Sequence, residues 1–170
     1  DTKEPDTEPT KTSKTDTKTP SEDDIQKAIE EDSTIFDLVE TSENLTNTLL
    51  IAVSNTESGT TTTLDVYDLS GQTERSQYNL SSQLPKKDGT NDEYVEAAKN
   101  YILNGMMIAS DMHSYLDKNK LDDLSDYKKR VEAQQNYTLS VVSARMVYLS
   151  DAGVPEDKIN EILGTNSDTE

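Results

Sequence analysis

The clearest pattern along the chain is an apolar stripe in residues 94–116, where apolar side chains recur at steps of three and four residues. This spacing is the period of an α-helix, and it predicts a long helix with one broad buried face. Gly105 lies within the stripe, so a neighbouring helix can cross closely at this point. The stripe consists of Tyr94, Ala98, Tyr101, Gly105, Ile108, Met112 and Tyr115, flanked by Val95, Ile102, Ala109 and Leu116.

Two helices are predicted near the start of the chain. Ser21 and Asp24 have the spacing of a capping box, and the apolar residues that follow predict a first, short helix. From Thr34 a second stripe keeps helical spacing and predicts a second helix that ends at about Asn55. The two stripes are Ile25, Ala28 and Ile29, and then Ile35, Leu38, Val39, Ser42, Leu45, Leu49, Ala52 and Val53.

The next segment permits two interpretations. Thr62 and Asp65 form a second capping box, and the spacing after it favours a third helix from Leu64 to about Leu84. However, the threonines of residues 60–63 are β-branched and precede further apolar residues, as in a strand. The alternative is therefore an α+β fold with a hairpin around residues 48–69.

Three more helices are predicted downstream. Thr90 with Glu93 caps the long helix of the first stripe, and a polar turn at residues 118–120 leads into a fifth helix, whose second half is strongly apolar. Gly153 ends this helix, and a short last helix runs from the turn at Pro155 to Gly164. The apolar stripe of the fifth predicted helix consists of Leu124, Tyr127, Val131, Thr138, Val141, Val142, Met146, Leu149 and Ala152.

Together these elements predict an all-α fold. Two long helices joined by a short turn must lie antiparallel, and the upstream helices can cover their apolar faces. We therefore expect an up-and-down helical bundle of about four main helices with short terminal helices. We assign residues 1–20 to a disordered linker, residues 21–164 to a single bundle domain and residues 165–170 to a frayed tail.

Charge separates the linker from the domain. Residues 1–20 carry nearly as many lysines as acids, so almost all of the net charge of −18 belongs to the rest of the chain. A field of this sign repels phosphates, which argues against nucleic acid as a partner. The chain has no cysteine, and therefore no disulfide or zinc–thiolate chemistry.

The linker also indicates a location. Its sequence, DTKEPDTEPTKTSKTDTKTP, contains only Thr, Pro, Lys, Asp, Glu and Ser, with no side chain that can be buried in a core. A tail of this kind before a cysteine-free acidic domain resembles the mature part of a Gram-positive surface lipoprotein. The resemblance implies an extracytoplasmic domain at the cell envelope, with membrane attachment only through an anchor upstream of Asp1.

Candidate chemistry is sparse. His113 is the only histidine, and on a helix it lies one turn from Asp117, which gives two ligands for a cation rather than a zinc site. Acidic pairs such as Glu30 and Glu31, or Asp122 and Asp123, are typical of a hydrated surface in a chain with 34 carboxylates. We expect no catalytic residue, no metal site and no cofactor.

Tyrosines are the remaining candidates. Those on the two long helices can line a groove for a sugar or a peptide, or can belong to the core with their hydroxyls at its edge. The candidates are Tyr94, Tyr101, Tyr115, Tyr127 and Tyr148. The sequence thus predicts a non-enzymatic domain that binds another surface or secreted component through a helix face, with a small-ligand module as the alternative.

Overall fold

The computed structural model describes residues 19–165, and in this range it contains five α-helices and no strand. The all-α prediction is confirmed, and the alternative hairpin around residues 48–69 is wrong, because α1 and α2 occupy most of that range. The predicted linker and frayed tail lie almost entirely outside the described residues. The helices are α1 Glu22–Glu57, α2 Thr63–Ser82, α3 Asp92–Lys118, α4 Leu121–Asp151 and α5 Glu156–Leu163.

Helix α1 corrects one prediction, because the first two predicted helices are a single helix of 36 residues. The sequence shows a polar gap at residues 30–34, but it contains neither Gly nor Pro to end a helix. Asp32 in this gap is buried, on the same side of α1 as Ala28 and Ile35. The apolar stripe is interrupted there because a buried carboxylate takes a core position.

The capping boxes have mixed outcomes. Ser21 with Asp24 and Thr62 with Asp65 both form as predicted, with each side chain bonded to the other residue's backbone. The predicted box of Thr90 and Glu93 is absent, because the backbone N–H and the hydroxyl of Thr90 both donate to Asp88, and α3 begins at Asp92.

Helix α3 lies at the centre of the bundle and contacts α1, α2 and α4. Its antiparallel arrangement with α4 is fixed by side-chain pairs in descending register: Ser114 with Asp123, Asp111 with Arg130, and Tyr101 with Gln134. The backbone of α4 runs close to α3, approaches α1 at only a few positions, and does not approach the backbone of α2. The outer side of α4 is therefore the least covered part of the bundle.

The core has two parts. One joins α1, α3 and α4 near the start of α1 and is closed by Ile159 of α5. The other lies at the opposite end, around Leu49, Val66, Ile108 and Tyr127. No helix within the described range is sufficiently long and apolar to cross a membrane.

Candidate functional site

A buried ion pair joins α1 to α4. Arg145 donates from Nε and Nη2 to the two carboxylate oxygens of Asp32, at 2.7 and 2.9 Å, and the Tyr94 hydroxyl donates to the same carboxylate at 2.8 Å. The guanidinium also lies 3.7 Å from the centroid of the Phe36 ring. We call Asp32, Arg145, Tyr94 and Phe36 the ion-pair cluster. Its side chains saturate one another, so the cluster acts as a structural tie.

The ion-pair cluster continues towards the surface through Tyr148. The Tyr94 and Tyr148 rings lie 5.5 Å apart, and burial together with the neighbouring Asp32 carboxylate raises the pKa of Tyr94. Burial, and then the Glu31 carboxylate, raises the pKa of Tyr148. Glu31 in turn accepts a hydrogen bond of 2.7 Å from Asn91, just before α3. Both phenols are therefore held in their neutral form.

A second polar cluster joins α1 to α2 and carries no charge. The Gln77 amide accepts from the Ser42 hydroxyl at 2.6 Å, and donates to the Ser42 carbonyl and the Thr46 hydroxyl at 3.0 and 2.9 Å. Gly105 of α3 faces it closely, since a Cβ there would lie 2.8 Å from Gln77 Nε2. We call Ser42, Thr46 and Gln77 the amide cluster. The close crossing predicted at Gly105 is present, and its neighbour is this amide.

His113 packs against α2. Its ring stacks on Tyr67 with centroids 4.1 Å apart, and Nδ1 lies 3.0 Å from the Tyr67 carbonyl oxygen and 3.2 Å from the Ser70 hydroxyl. Across the described part of the chain, no three His, Cys, Asp or Glu side chains are grouped as metal ligands. The contacts of His113 are therefore those of a packed helix residue.

The five candidate tyrosines do not share one groove. Tyr94 and Tyr148 are buried at one end of the bundle, whereas Tyr127 is buried at the other end, where it borders a depression of about 410 Å³ with the half-buried Tyr115. Tyr101 is buried, and its oxygen accepts from Gln134 at 3.2 Å. Burial raises the pKa of both Tyr101 and Tyr127. Of the five, Tyr148 borders an open surface cavity of about 620 Å³.

The outer side of α4 has an unusual surface for so acidic a chain. Residues 133–150 hold a single charged side chain, Arg145, and it is buried. Apolar side chains there face solvent: Leu139 is 60% exposed, Met146 47%, Val147 48% and Val142 37%. We call Leu139, Val142, Ser143, Met146 and Val147 the α4 face. An exposed apolar strip without charges is typical of the centre of a protein interface.

Sequence reasoning missed the α4 face, because it assigned Val142 and Met146 to the interior. The signal was nevertheless present in the neighbouring apolar pairs Val141–Val142 and Met146–Val147. Only one member of the first pair is buried, and both members of the second are exposed. An apolar stripe wider than one side of the helix thus indicates a second apolar surface.

An open cavity of about 620 Å³ lies next to this face, between the start of α1, the loop at residues 88–90 and the end of α4. Asp24, Glu31, Asp88 and Asp151 line it together with Lys27 and Tyr148. We call this cavity the acidic cleft. A further depression of about 400 Å³ shares Tyr148 and Asp151 with it and extends to Glu93 and Val147. The acidic cleft and the α4 face therefore form one continuous surface.

Comparisons with known proteins return no match to any protein family, curated protein or solved structure. The functional argument therefore depends on the geometry of this chain alone.

Proposed function

We propose that residues 21–164 form a non-enzymatic interaction domain that binds a partner protein through the α4 face. The observation that carries this proposal is the contrast between the inside and the outside of α4. Inside, Arg145 and Tyr148 are buried in contact with α1 and α3. Outside, Leu139 and Met146 are about half exposed to solvent. A partner that buries them gains about 25 cal/mol of binding free energy per Å² of apolar surface.

The polar interior supports a structural role for the buried side chains. Within the described residues, every buried side-chain nitrogen or oxygen has a hydrogen-bond partner. Asp32 and Gln77, the most deeply buried acid and amide, are each engaged by at least two groups. Groups engaged in this way position helices, which favours a scaffold that presents a surface.

Site-specific photo-crosslinking tests this role in the native host. A benzophenone side chain at Val142 or Met146 is expected to give a discrete crosslinked protein, at a yield at least about fivefold above a matched position on α2. Tyr78 is that position, because it is 62% exposed on a different helix. Equal crosslinking from Val142 and Tyr78, or none from either, contradicts the proposal.

We also propose that the domain works outside the cytoplasm, at the cell envelope. The support is the composition of residues 1–20, which suits a spacer between an anchor and a domain. The absence of cysteine allows a clean test. Cysteine in place of Ser54, which is exposed on α1 outside the α4 face, should react with a membrane-impermeant maleimide in intact cells. Labelling that requires cell lysis would show that the location is wrong.

A small-ligand function is the second candidate, and the acidic cleft favours it. Its volume of about 620 Å³ is sufficient for a sugar or a short peptide, and Tyr148 forms part of its wall. Benzophenone at Val142 distinguishes the two functions, since a ligand confined to the cleft leaves the α4 face without a protein to capture.

A further inference from the structure

The surroundings of the α4 face limit what can cover it. At one end the face continues into acidic side chains: Glu93 and Asp151 border the depression that contains Val147, and Asp88 and Glu31 lie beyond them in the acidic cleft. Lys27 is the basic side chain on this lining. The surface therefore has an apolar part and, next to it, a negatively charged part.

Two occupants fit this surface poorly. A second copy of the chain carries the same charge of −18, so its approach is opposed by long-range repulsion. Residues 1–18 contain lysines, but they have no aliphatic or aromatic side chain with which to cover Leu139 and Met146. The occupant must combine apolar side chains with positive charge.

We propose that the partner segment is a cationic amphipathic helix, whose apolar side chains cover Leu139, Val142 and Met146 and whose lysines or arginines enter the acidic cleft. This inference rests on the proposed function and adds the chemistry of the partner. A helix laid along α4 places apolar residues at steps of three and four against the same spacing of Leu139, Val142 and Met146. The net charge of the whole chain steers such a segment towards this surface.

A defined probe tests the inference with the full chain. A fluorescent synthetic helix built from Leu and Lys is titrated with the protein and followed by anisotropy, beside a matched helix in which every Lys is Glu. We expect the Lys peptide to bind and the Glu peptide to bind at least about tenfold more weakly. Raised salt should weaken the binding of the Lys peptide, because its lysines would pair with carboxylates near the surface, where salt screens the attraction.

Three double variants localise the binding. Val142→Ser with Met146→Ser should lower affinity by about tenfold or more, since it removes apolar area from the α4 face. Glu93→Gln with Asp151→Asn should lower it by about threefold to tenfold. Asp68→Asn with Asp117→Asn changes net charge equally at exposed positions on α2 and at the end of α3. This control should leave affinity within about twofold of the unchanged chain.

The outcomes separate the two proposals. If the Glu peptide binds as tightly as the Lys peptide and both depend on Val142 and Met146, the face is a docking site and the cationic partner is wrong. Equal losses of affinity in the Asp68/Asp117 control and the Glu93/Asp151 variant also contradict the cationic partner at this site, since net charge alone then explains binding. If the Lys peptide does not bind, the cationic partner is wrong, and crosslinking at Val142 still tests the α4 face by itself. If the Lys peptide binds the serine variant as tightly as the unchanged chain, it binds outside the α4 face and the inference is wrong. Sedimentation of a dimer that the serine variant dissociates would identify a second copy as the occupant.

Discussion

Helices α2 and α4 both lie against α3, and both are tied to α1, but by different chemistry. On the α2 side, a neutral amide joins two hydroxyl-bearing residues of α1, and Gly105 lets α3 approach this contact closely. On the α4 side, the tie is a bidentate ion pair between Arg145 and Asp32, and the backbone of α4 comes close to α1 at fewer positions than that of α2 does.

The difference affects how each helix responds to change. The amide cluster depends on close packing, because its geometry requires the absence of a Cβ at Gly105. The ion-pair cluster depends on charge balance, since neither partner is stable in the interior without the other. Helix α4 can therefore keep its position while its outer side remains uncovered, because α3 packs along its inner side and the ion pair adds a tie to α1.

Removing one charge of the Asp32–Arg145 pair should lower the free energy of unfolding more than the other changes considered. Arg145→Met keeps much of the side-chain volume but leaves the Asp32 carboxylate buried, 2% exposed, with Tyr94 as its remaining donor. We expect a loss of about 3–5 kcal/mol in the free energy of unfolding. Urea unfolding followed by circular dichroism measures it.

The matched control is the double variant Asp32→Asn with Arg145→Met. It removes both charges, and the Asn oxygen can still accept from the Tyr94 hydroxyl. Most of the lost stability should return, to within about 2 kcal/mol of the unchanged chain. If the single variant costs less than about 1 kcal/mol, the ion pair is not the tie that holds α4.

On the α2 side, a methyl group added at Gly105 should lower the free energy of unfolding less than Arg145→Met does. Its Cβ would lie 2.8 Å from Gln77 Nε2 and 2.9 Å from Thr46 Oγ1, so Gly105→Ala forces the amide cluster apart. Overpacking costs about 1–3 kcal/mol, while Ala in place of Gly in a helix returns about 1 kcal/mol. The difference is a net loss of about 0–2 kcal/mol, and because both contacts are shorter than 3.0 Å we expect the upper half of this range by urea unfolding.

The Gln77→Ala background shows whether the amide is responsible. Without Gln77, the Thr46 hydroxyl can rotate away, and the same methyl should cost at least about 1 kcal/mol less. An equal cost of Gly105→Ala in both backgrounds would mean that Gln77 is not responsible and that the methyl is opposed by another neighbour, such as the Thr46 hydroxyl.

The helices also differ in how well the sequence predicts them. Helix α2 follows from its capping box, and α3 to α5 follow from turns, glycines and apolar spacing, so their bounds lie close to the expected ones. Helix α1 appears as two helices in the sequence, because a polar residue at a core position looks like a break. Asp32 has no partner within one turn of its own helix. Arg145, which neutralises it, is 113 positions away, and local patterns do not reveal such pairs.

The candidate surface is predicted less well than the fold, for a related reason. The apolar residues of α4 are evident in the sequence, but which of them are covered depends on how far α1 reaches across α4. Val141 is 1% exposed whereas Val142 is 37% exposed, although the two residues are chemically identical and adjacent. The acidic cleft is assembled from α1, the loop at residues 88–90 and α4, so its carboxylates are adjacent only after folding.

High pH should destabilise the protein through its buried tyrosines, and the share of Tyr127 on α4 should be the smallest of the three effects. Burial raises the pKa of Tyr127, a residue of α4 that is 8% exposed. The folded phenol thus binds its proton more tightly than the unfolded phenol, which ionises near pH 10. Its contribution to stability is complete below that pH and is lost as pH rises through the folded pKa. At about pH 11 this loss cannot exceed about 1.4 kcal/mol, the limit set by the ionisation of the unfolded phenol.

Tyr127→Phe removes this response while keeping the ring. Urea unfolding at about pH 8 and about pH 11 should show that the variant loses less stability between the two than the unchanged chain, by at most about 1.4 kcal/mol. Tyr78→Phe on α2 is the matched control, since its ring is 62% exposed, and it should retain the full alkaline loss. If Tyr78→Phe reduces the loss of stability at high pH as much as Tyr127→Phe does, that loss comes from charge repulsion across the whole acidic chain. Burial of Tyr127 is then not its cause.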